Sequence, residues 1–215
     1  MSAFIPDLPV IIAFALAAFV LAITPGPDMA LFVSRTINWG RAHAYIAMFG
    51  AAIGILLHAI LAALGLSVLL AASPTAFFVV KIAGAAYLLF LAIQAVRSGG
   101  GLTLRRAAAK EPTYKASFLT GLGSNLTNPK VILFFVTFLP QFISRTDPFA
   151  SGKLIFFGLE FLLIGVPINI GCVLAAHWIA DSLARSVLIR RALNWSFAAV
   201  FAGFAATILF IEGRH

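Results

Sequence analysis

Apolar residues fill long stretches of this chain, and charged residues are concentrated in the short segments between them. The stretches without Asp, Glu, Lys or Arg are residues 8–27, 42–80 (divided by Ser73-Pro74), 131–144, 161–180 and 192–211. A helix needs about 20 apolar residues to cross a bilayer. We therefore predict six membrane-spanning helices, with five as the alternative, at residues 8–37, 43–70, 74–97, 117–143, 153–179 and 192–212.

Two of these predicted helices, the first and the fourth, are interrupted by proline motifs. The first motif is Thr24-Pro25-Gly26-Pro27-Asp28, and the second is Asn128-Pro129-Lys130. Proline lacks a backbone donor and clashes with the preceding turn, so neither segment can be one continuous helix. Inside a membrane, broken backbone persists only where it faces protein, water or a ligand. Paired breaks in the two halves of a chain point to the substrate site of a secondary transporter.

The composition places the chain in a membrane. Its 215 residues are 62% hydrophobic and 10% charged, and the mean hydropathy is +1.05. Soluble domains contain about 25% charged residues, so we predict an integral membrane protein. The N-terminal residues lack the basic segment of a cleavable signal peptide. A single cysteine, Cys172, excludes a disulfide framework, a thiol relay and a cysteine-based metal site.

The net charge of +8 reflects membrane topology rather than nucleic-acid binding. With the N-terminus outside, ten of the 15 Lys and Arg residues face the cytoplasm, three face out and two lie within spans. The excess of positive charge on cytoplasmic segments predicts that both termini are outside. The longest loop, 99–115, is then cytoplasmic, and its basic residues lie near anionic lipid headgroups.

The six helices divide into two groups of three at this loop. An odd number of spans in each half inverts the second half relative to the first. We therefore expect an all-α polytopic protein with one transmembrane domain over 1–215, made of inverted repeats 1–97 and 117–215 joined by a cytoplasmic loop at 98–116. The order Pro-charge-x-x-Leu-Phe at Pro27 and at Pro129 supports the repeat.

Asp28 and Lys130 are the candidate substrate-binding charges. Each follows a proline in the first turn of a half-helix, with Gly26 or Asn128 as the N-cap. Asp28 could serve only as a complement to the helix dipole, whereas a cation is unfavourable there, so Lys130 either extends to the membrane surface or has a function. Together the two charges could hold the ammonium and carboxylate groups of a zwitterion, and without substrate they could pair.

Further polar residues complete the candidate site. The substrate-binding set is Asp28, Lys130, Thr24, Gly26, Asn128 and Asn125, and the helix breaks are Pro25, Pro27 and Pro129. The candidates for proton coupling are Asp28, His58 and Glu160. His58 follows the small residues Gly50 and Gly54, which favour close helix packing inside the chain or a dimer. His58 could instead be a packing residue, and Glu160 could lie at the outer membrane surface.

The residues above resemble the LysE/RhtB family of bacterial amino-acid exporters. The resemblance is carried by 24–28 with Arg35, by Gly50, Gly54 and His58, and by 125–130 with Pro140-Gln141-Phe142. It implies an inner-membrane efflux carrier, driven by the proton motive force, for amino acids such as threonine, homoserine, leucine or lysine. Glu160 is not part of the family pattern, so its role is our own hypothesis.

The expected partners are an amino-acid substrate, protons and the lipid bilayer, with no nucleic acid, no cofactor, no metal and a possible homo-oligomer. A metal or small-cation efflux carrier of a related family is the alternative, although the spans contain no clustered His or acidic residues. A membrane enzyme would need a nucleophile and a base, and no Gly-x-Ser-x-Gly motif occurs. A purely structural or signalling protein would not need costly helix breaks.

Overall fold

The described part of this computed structural model covers residues 5–66, 74–97, 110–144 and 147–210, and its regular secondary structure is helical throughout. The helices are α1 (Leu8–Ile23), α2 (Pro27–Trp39), α3 (Arg41–Leu61), α4 (Pro74–Arg97), α5 (Tyr114–Leu126), α6 (Pro129–Leu133), α7 (Ala150–Leu174), α8 (Ala176–Arg185) and α9 (Val187–Phe210). A π-helical turn, Ala62–Leu66, extends α3, and a π turn and a 3-10 turn extend α6 to Phe142.

Two segments of the described chain are long and apolar enough to cross a membrane, Arg41–Gly65 and Ala150–Leu174. The pair α1 and α2, bent by 48° at its break, would be a third span. These findings confirm an all-helical membrane protein. The count of six spans stays a prediction, and most of the predicted cytoplasmic loop, residues 98–109, lies outside the described residues.

The predicted helix ends differ from the structure where capping and helix breaks intervene. α5 begins at Tyr114 rather than 117 because the Thr113 hydroxyl accepts a hydrogen bond from the Ala116 amide at 3.2 Å. The single helix predicted for 153–179 is wrong, since the chain turns at Ala175 and continues as the separate helix α8. α8 buries Ala176 against α2 and exposes Trp178.

Phenylalanine rings form the main core between α1, the segment after Pro129, α7 and α9. The rings of Phe14 and Phe157 have centroids 4.6 Å apart, as do those of Phe138 and Phe204. Such aromatic contacts contribute about 0.5–1.5 kcal/mol each beyond the burial of apolar area. This core fixes the segment that follows the second break against α1 and α7.

Small residues let α3 approach α5 closely. A Cβ at Gly50 would collide with the backbone of Phe118, and a Cβ at Gly121 would collide with the backbone of Ala47. The predicted close packing at Gly50 and Gly54 is therefore present inside the chain. This contact holds the end of α5, with its polar residues, beside α3.

Candidate functional site

Both proline motifs break the helices as predicted. α1 ends at Ile23, the backbone is extended at Thr24 and Gly26, and α2 begins at Pro27. α5 ends at Leu126, and α6 begins at Pro129. Pro25 prevents continuation of α1, while Pro27 and Pro129 each occupy the first helical position, where the missing amide donor costs nothing.

The two breaks begin their second helices differently. Asn128 caps α6, because its side-chain oxygen accepts a hydrogen bond from the Lys130 amide at 3.1 Å. Gly26 is the N-cap of α2 and has no side chain with which to do the same. The caps predicted at Gly26 and Asn128 are therefore confirmed, and the side-chain cap exists only at the second break.

Asp28, the second residue of α2, contacts the end of α5. Its Oδ1 accepts a hydrogen bond from the Ser124 hydroxyl at 2.8 Å, and its Oδ2 accepts one from Asn125 Nδ2, also at 2.8 Å. The side chain is half-buried. Asp28 thus does more than complement the dipole of α2, because it joins the first break to the second.

Lys130, the second residue of α6, contacts the end of α1. Its ammonium group donates to the carbonyl oxygens of Leu21 at 3.0 Å and Thr24 at 2.8 Å. Lys130 therefore lies at the negative end of α1, which offsets its unfavourable place at the start of α6. Its side chain therefore has a specific partner at the first break.

The direct ion pair between Asp28 and Lys130 that the sequence suggested is absent from the described ion pairs. Instead, each charge binds the helix end that precedes the opposite break. Asp28 bonds to the last turn of α5, and Lys130 bonds to the end of α1. The two sets of contacts are thus reciprocal. Each charged side chain extends from the helix after its own break to the helix end before the other break.

Buried amide atoms at the second break lack hydrogen-bond partners. Asn125 and Asn128 are each 1% exposed, and neither Asn125 Oδ1 nor Asn128 Nδ2 has a partner in the described structure. Gly54 allows this arrangement, since a Cβ there would lie 2.6 Å from Asn125 Oδ1. An unpaired buried acceptor and an unpaired buried donor are both costly in a scaffold, and such groups suit a ligand site.

The three candidates for proton coupling do not form one cluster. His58 Nε2 lies 3.4 Å from the Asn125 backbone oxygen, and the His58 ring stacks on Phe135. His58 is thus linked through Asn125 to Asp28. Glu160 is half-buried on α7, its Oε2 has no partner among the described residues, and no described hydrogen bond joins it to Asp28 or His58.

Several contacts of α5 were not predicted from the sequence. Besides Ser124, which binds Asp28, Thr120 accepts a hydrogen bond from Arg35 Nη2 at 3.1 Å. Ser117 Oγ lies 2.9 Å from His43 Nδ1. Ser117, Thr120 and Ser124 recur at helical spacing on α5, so a search for a polar stripe at a period of 3.6 residues would have found them.

The second ring nitrogen of His43 contacts the segment that precedes α5. Its Nε2 lies 2.9 Å from Glu111 Oε1, and its ring packs on that of Tyr114. Polar contacts therefore run along α5 from Glu111 to the two breaks. No group of three or more His, Cys, Asp or Glu residues that could hold a metal occurs in the described ranges.

Comparison with known proteins assigns a relationship to most of the chain. A family model described as LysE type translocator matches residues 19–211. The chain is 31% identical over 203 residues to a homoserine/homoserine lactone efflux protein of Salmonella typhimurium, covering 94% of this chain and 96% of that protein. It is 32% identical over 197 residues to an uncharacterized membrane protein of Vibrio cholerae, covering 92% and 95% of the two chains. No solved structure matches the chain significantly.

Proposed function

The chain belongs to the LysE type translocator family, and we propose that it exports amino acids or related small zwitterions across the bacterial inner membrane, driven by the proton motive force. The family is one of transporters, and the named relatives are efflux proteins. The comparisons therefore indicate a transporter that exports a small molecule rather than an enzyme. The finer proposal rests chiefly on one observation, the Asp28 carboxylate held at a helix break by two neutral side chains.

Asp28 is suited to an ammonium group. Its present donors, the Ser124 hydroxyl and the Asn125 amide, are uncharged, so the negative charge of Asp28 has no cationic partner among the described ion pairs. The relatives are named for homoserine and its lactone. Both compounds carry an amino group, and only homoserine carries a free carboxylate. One half-buried acid that receives ammonium would therefore serve both kinds of substrate.

Neighbouring polar atoms would complete the substrate site. Asn125 Oδ1 could accept from the ammonium group, and Asn128 Nδ2 could donate to a carboxylate. Thr24 and Gly26 would contribute backbone from the first break. Two of the three N–H donors of Lys130 are used by α1, so we assign it first to holding the breaks together.

We propose that protons and substrate compete for Asp28. A protonated carboxyl group would release an ammonium group, which couples proton uptake to substrate release. His58 contacts the backbone oxygen of Asn125, whose side chain holds Asp28, so a change in the protonation of His58 would act on Asp28 through the position of Asn125. Glu160 is a second candidate, because a carboxyl oxygen is buried there without a partner in the described structure.

Transport by purified protein in liposomes tests this proposal. Under an imposed pH gradient, efflux of labelled L-homoserine should fall to background for Asp28→Asn. Glu160→Gln should weaken the response to the gradient while substrate binding persists. Asp181→Asn is the control, since Asp181 is an exposed acid paired only loosely, at 3.9 Å, with Arg185. Normal transport by Asp28→Asn would refute the proposed site, and uptake of divalent cations instead of amino acids would favour the metal-efflux alternative.

We also propose that the two halves are inverted repeats with both termini outside. The crossed contacts support this arrangement, because the second residue after each break bonds to the helix end before the other break. The excess of basic residues in the predicted cytoplasmic segments supports the orientation. Reporter fusions after Leu102 and after His215 test it, and a cytoplasmic C-terminus would contradict six spans.

A further inference from the structure

Arg35 is a buried cation that the site described above does not use. It is 8% exposed, and no described ion pair includes it. Its Nη2 donates to Thr120 Oγ1 at 3.1 Å, and its guanidinium carbon lies 4.8 Å from the centre of the Trp39 ring. Its Nε is buried and has no hydrogen-bond partner in the described structure.

The contacts of Arg35 hold its side chain in place without neutralising its charge. Stacking on Trp39 is a favourable cation–π contact, and the Thr120 hydroxyl accepts one hydrogen bond. A guanidinium has five N–H donors, and its fork matches the two oxygens of a carboxylate. A buried cation without an anionic partner is costly, so an ionisable group in a membrane span points to a function.

Arg35 lies on the same side of α2 as Asp28. Seven residues, or about 10.5 Å at 1.5 Å per residue, separate the two positions along the helix. Both reach the same neighbour, since Asp28 contacts Ser124 and Arg35 contacts Thr120, one turn earlier on α5. The seam between α2 and α5 therefore carries a carboxylate near the breaks and a guanidinium toward the end of α2.

We propose that Arg35 is a specificity-determining residue that binds the carboxylate of the amino-acid substrate before its ammonium group reaches Asp28. This inference rests on the proposed function. In the proposed orientation α2 ends at the cytoplasm, so an exported substrate meets Arg35 first.

Binding of a substrate with and without its carboxylate tests this role. Purified protein is titrated with L-homoserine and with L-homoserinamide, which has the same amino group and no carboxylate. We expect Arg35→Gln to weaken homoserine binding roughly tenfold or more, as for loss of a charge-assisted hydrogen bond, and to leave homoserinamide binding unchanged. Arg35→Lys should restore part of the affinity for homoserine, because lysine keeps the positive charge but lacks the forked donors of the guanidinium group.

Controls separate recognition from structural damage. Arg41→Gln removes an exposed cation at the start of α3 and should change neither affinity. Equal weakening of both ligands by Arg35→Gln, or no weakening of either, would overturn the inference. If Arg35→Gln does not fold, the same two ligands are titrated into Arg35→Lys. A ratio of homoserine affinity to homoserinamide affinity equal to that of the wild type would then overturn the inference. A wild-type protein that binds neither ligand would instead refute the proposed function.

Discussion

At the first break, Asp28 is held by two side chains of α5, whereas at the second break Lys130 is held by two backbone carbonyls at the end of α1. Side-chain donors can rotate away and leave a carboxylate free for another cation. Lys130 places its ammonium group at the carbonyl end of α1, which would lose that cation if the side chain moved away. We infer that the acid is the exchangeable partner of the substrate and that the lysine is part of the scaffold.

The N-caps of the helices after the two breaks also differ in how firmly they fix the backbone. Asn128 fixes the start of α6 with a side-chain hydrogen bond, and Gly26 leaves the start of α2 without one. α2 then continues as regular helix to Trp39, while α6 passes into π and 3-10 turns that pack into the phenylalanine core. The second break is thus anchored at its cap, its lysine and the phenylalanine core, and the first is anchored through Asp28 and through Phe32 and Val33, which α2 buries in smaller core clusters.

Exchanging the two charges should have the largest effect. The double variant Asp28→Lys with Lys130→Asp keeps the net charge but places a carboxylate against the carbonyls of Leu21 and Thr24. Loss of a buried charge's partners costs about 3–5 kcal/mol, and repulsion adds to it. We expect the double variant to be no more stable than Lys130→Asp alone and to transport nothing, as measured by thermal unfolding and by efflux from liposomes.

Normal stability and transport in the double variant would show that the charges at the two breaks do not have different roles. If the exchanged protein unfolds near the wild-type temperature and exports homoserine, the two positions are equivalent. A double variant that folds normally but does not transport would show that the lysine is not needed in the scaffold where it now lies. Asp28→Lys alone is the matched control, because the Asn125 amide can turn its oxygen toward a lysine.

Removing the lysine charge alone should have the next largest effect. Lys130→Met nearly keeps the length of the side chain and removes the donor to the Thr24 carbonyl, at about 1–3 kcal/mol for a buried unsatisfied group. The Leu21 carbonyl keeps its hydrogen bond from the Thr24 amide. The unfolding temperature of purified protein should fall clearly, and Lys130→Arg should recover part of it. Lys115→Met, at an exposed position of α5, is the control and should have almost no effect.

The expected order of the two single variants sharpens the comparison. Asp28→Asn keeps an oxygen that can accept from Ser124, so it should lower stability less than Lys130→Met while abolishing transport. A larger loss of stability in Asp28→Asn than in Lys130→Met would reverse the roles that we assign to the two charges.

The sequence alone could predict the two breaks, because proline acts on its own backbone and on the preceding turn whatever the tertiary structure. It could also predict the close contact at Gly50 and Gly54, since only small residues allow backbones to approach so closely. It could not predict which groups hold Asp28 and Lys130. Those contacts join residues about a hundred positions apart, and they depend on how the two breaks lie beside each other.

Other differences arise where a short local feature overrides a long apolar pattern. The chain turns at Ala175 within a stretch that hydropathy alone treats as one span. The sequence marks Arg35 through the family resemblance and the charge count, and neither distinguishes an exposed cation from a buried one. Glu160 was identified by its position in an apolar run, and its unpartnered oxygen keeps it a candidate, although it is not joined to the breaks.

The smallest expected effect concerns the cap of the second break. Asn128→Ala removes the acceptor for the Lys130 amide, and loss of an N-cap side chain costs about 1 kcal/mol. Asn128→Asp keeps that acceptor and places a negative charge at the start of α6, which the helix dipole favours, so stability should return to near the wild-type value. Asn128→Asp also replaces the unpartnered Nδ2 donor with an oxygen.

We therefore expect Asn128→Asp to fold like the wild type in thermal unfolding and to bind L-homoserine more weakly, because the carboxylate of the substrate would meet a second carboxylate. If Asn128→Asp recovers both stability and homoserine binding, Asn128 is a cap and contributes no side chain to the substrate.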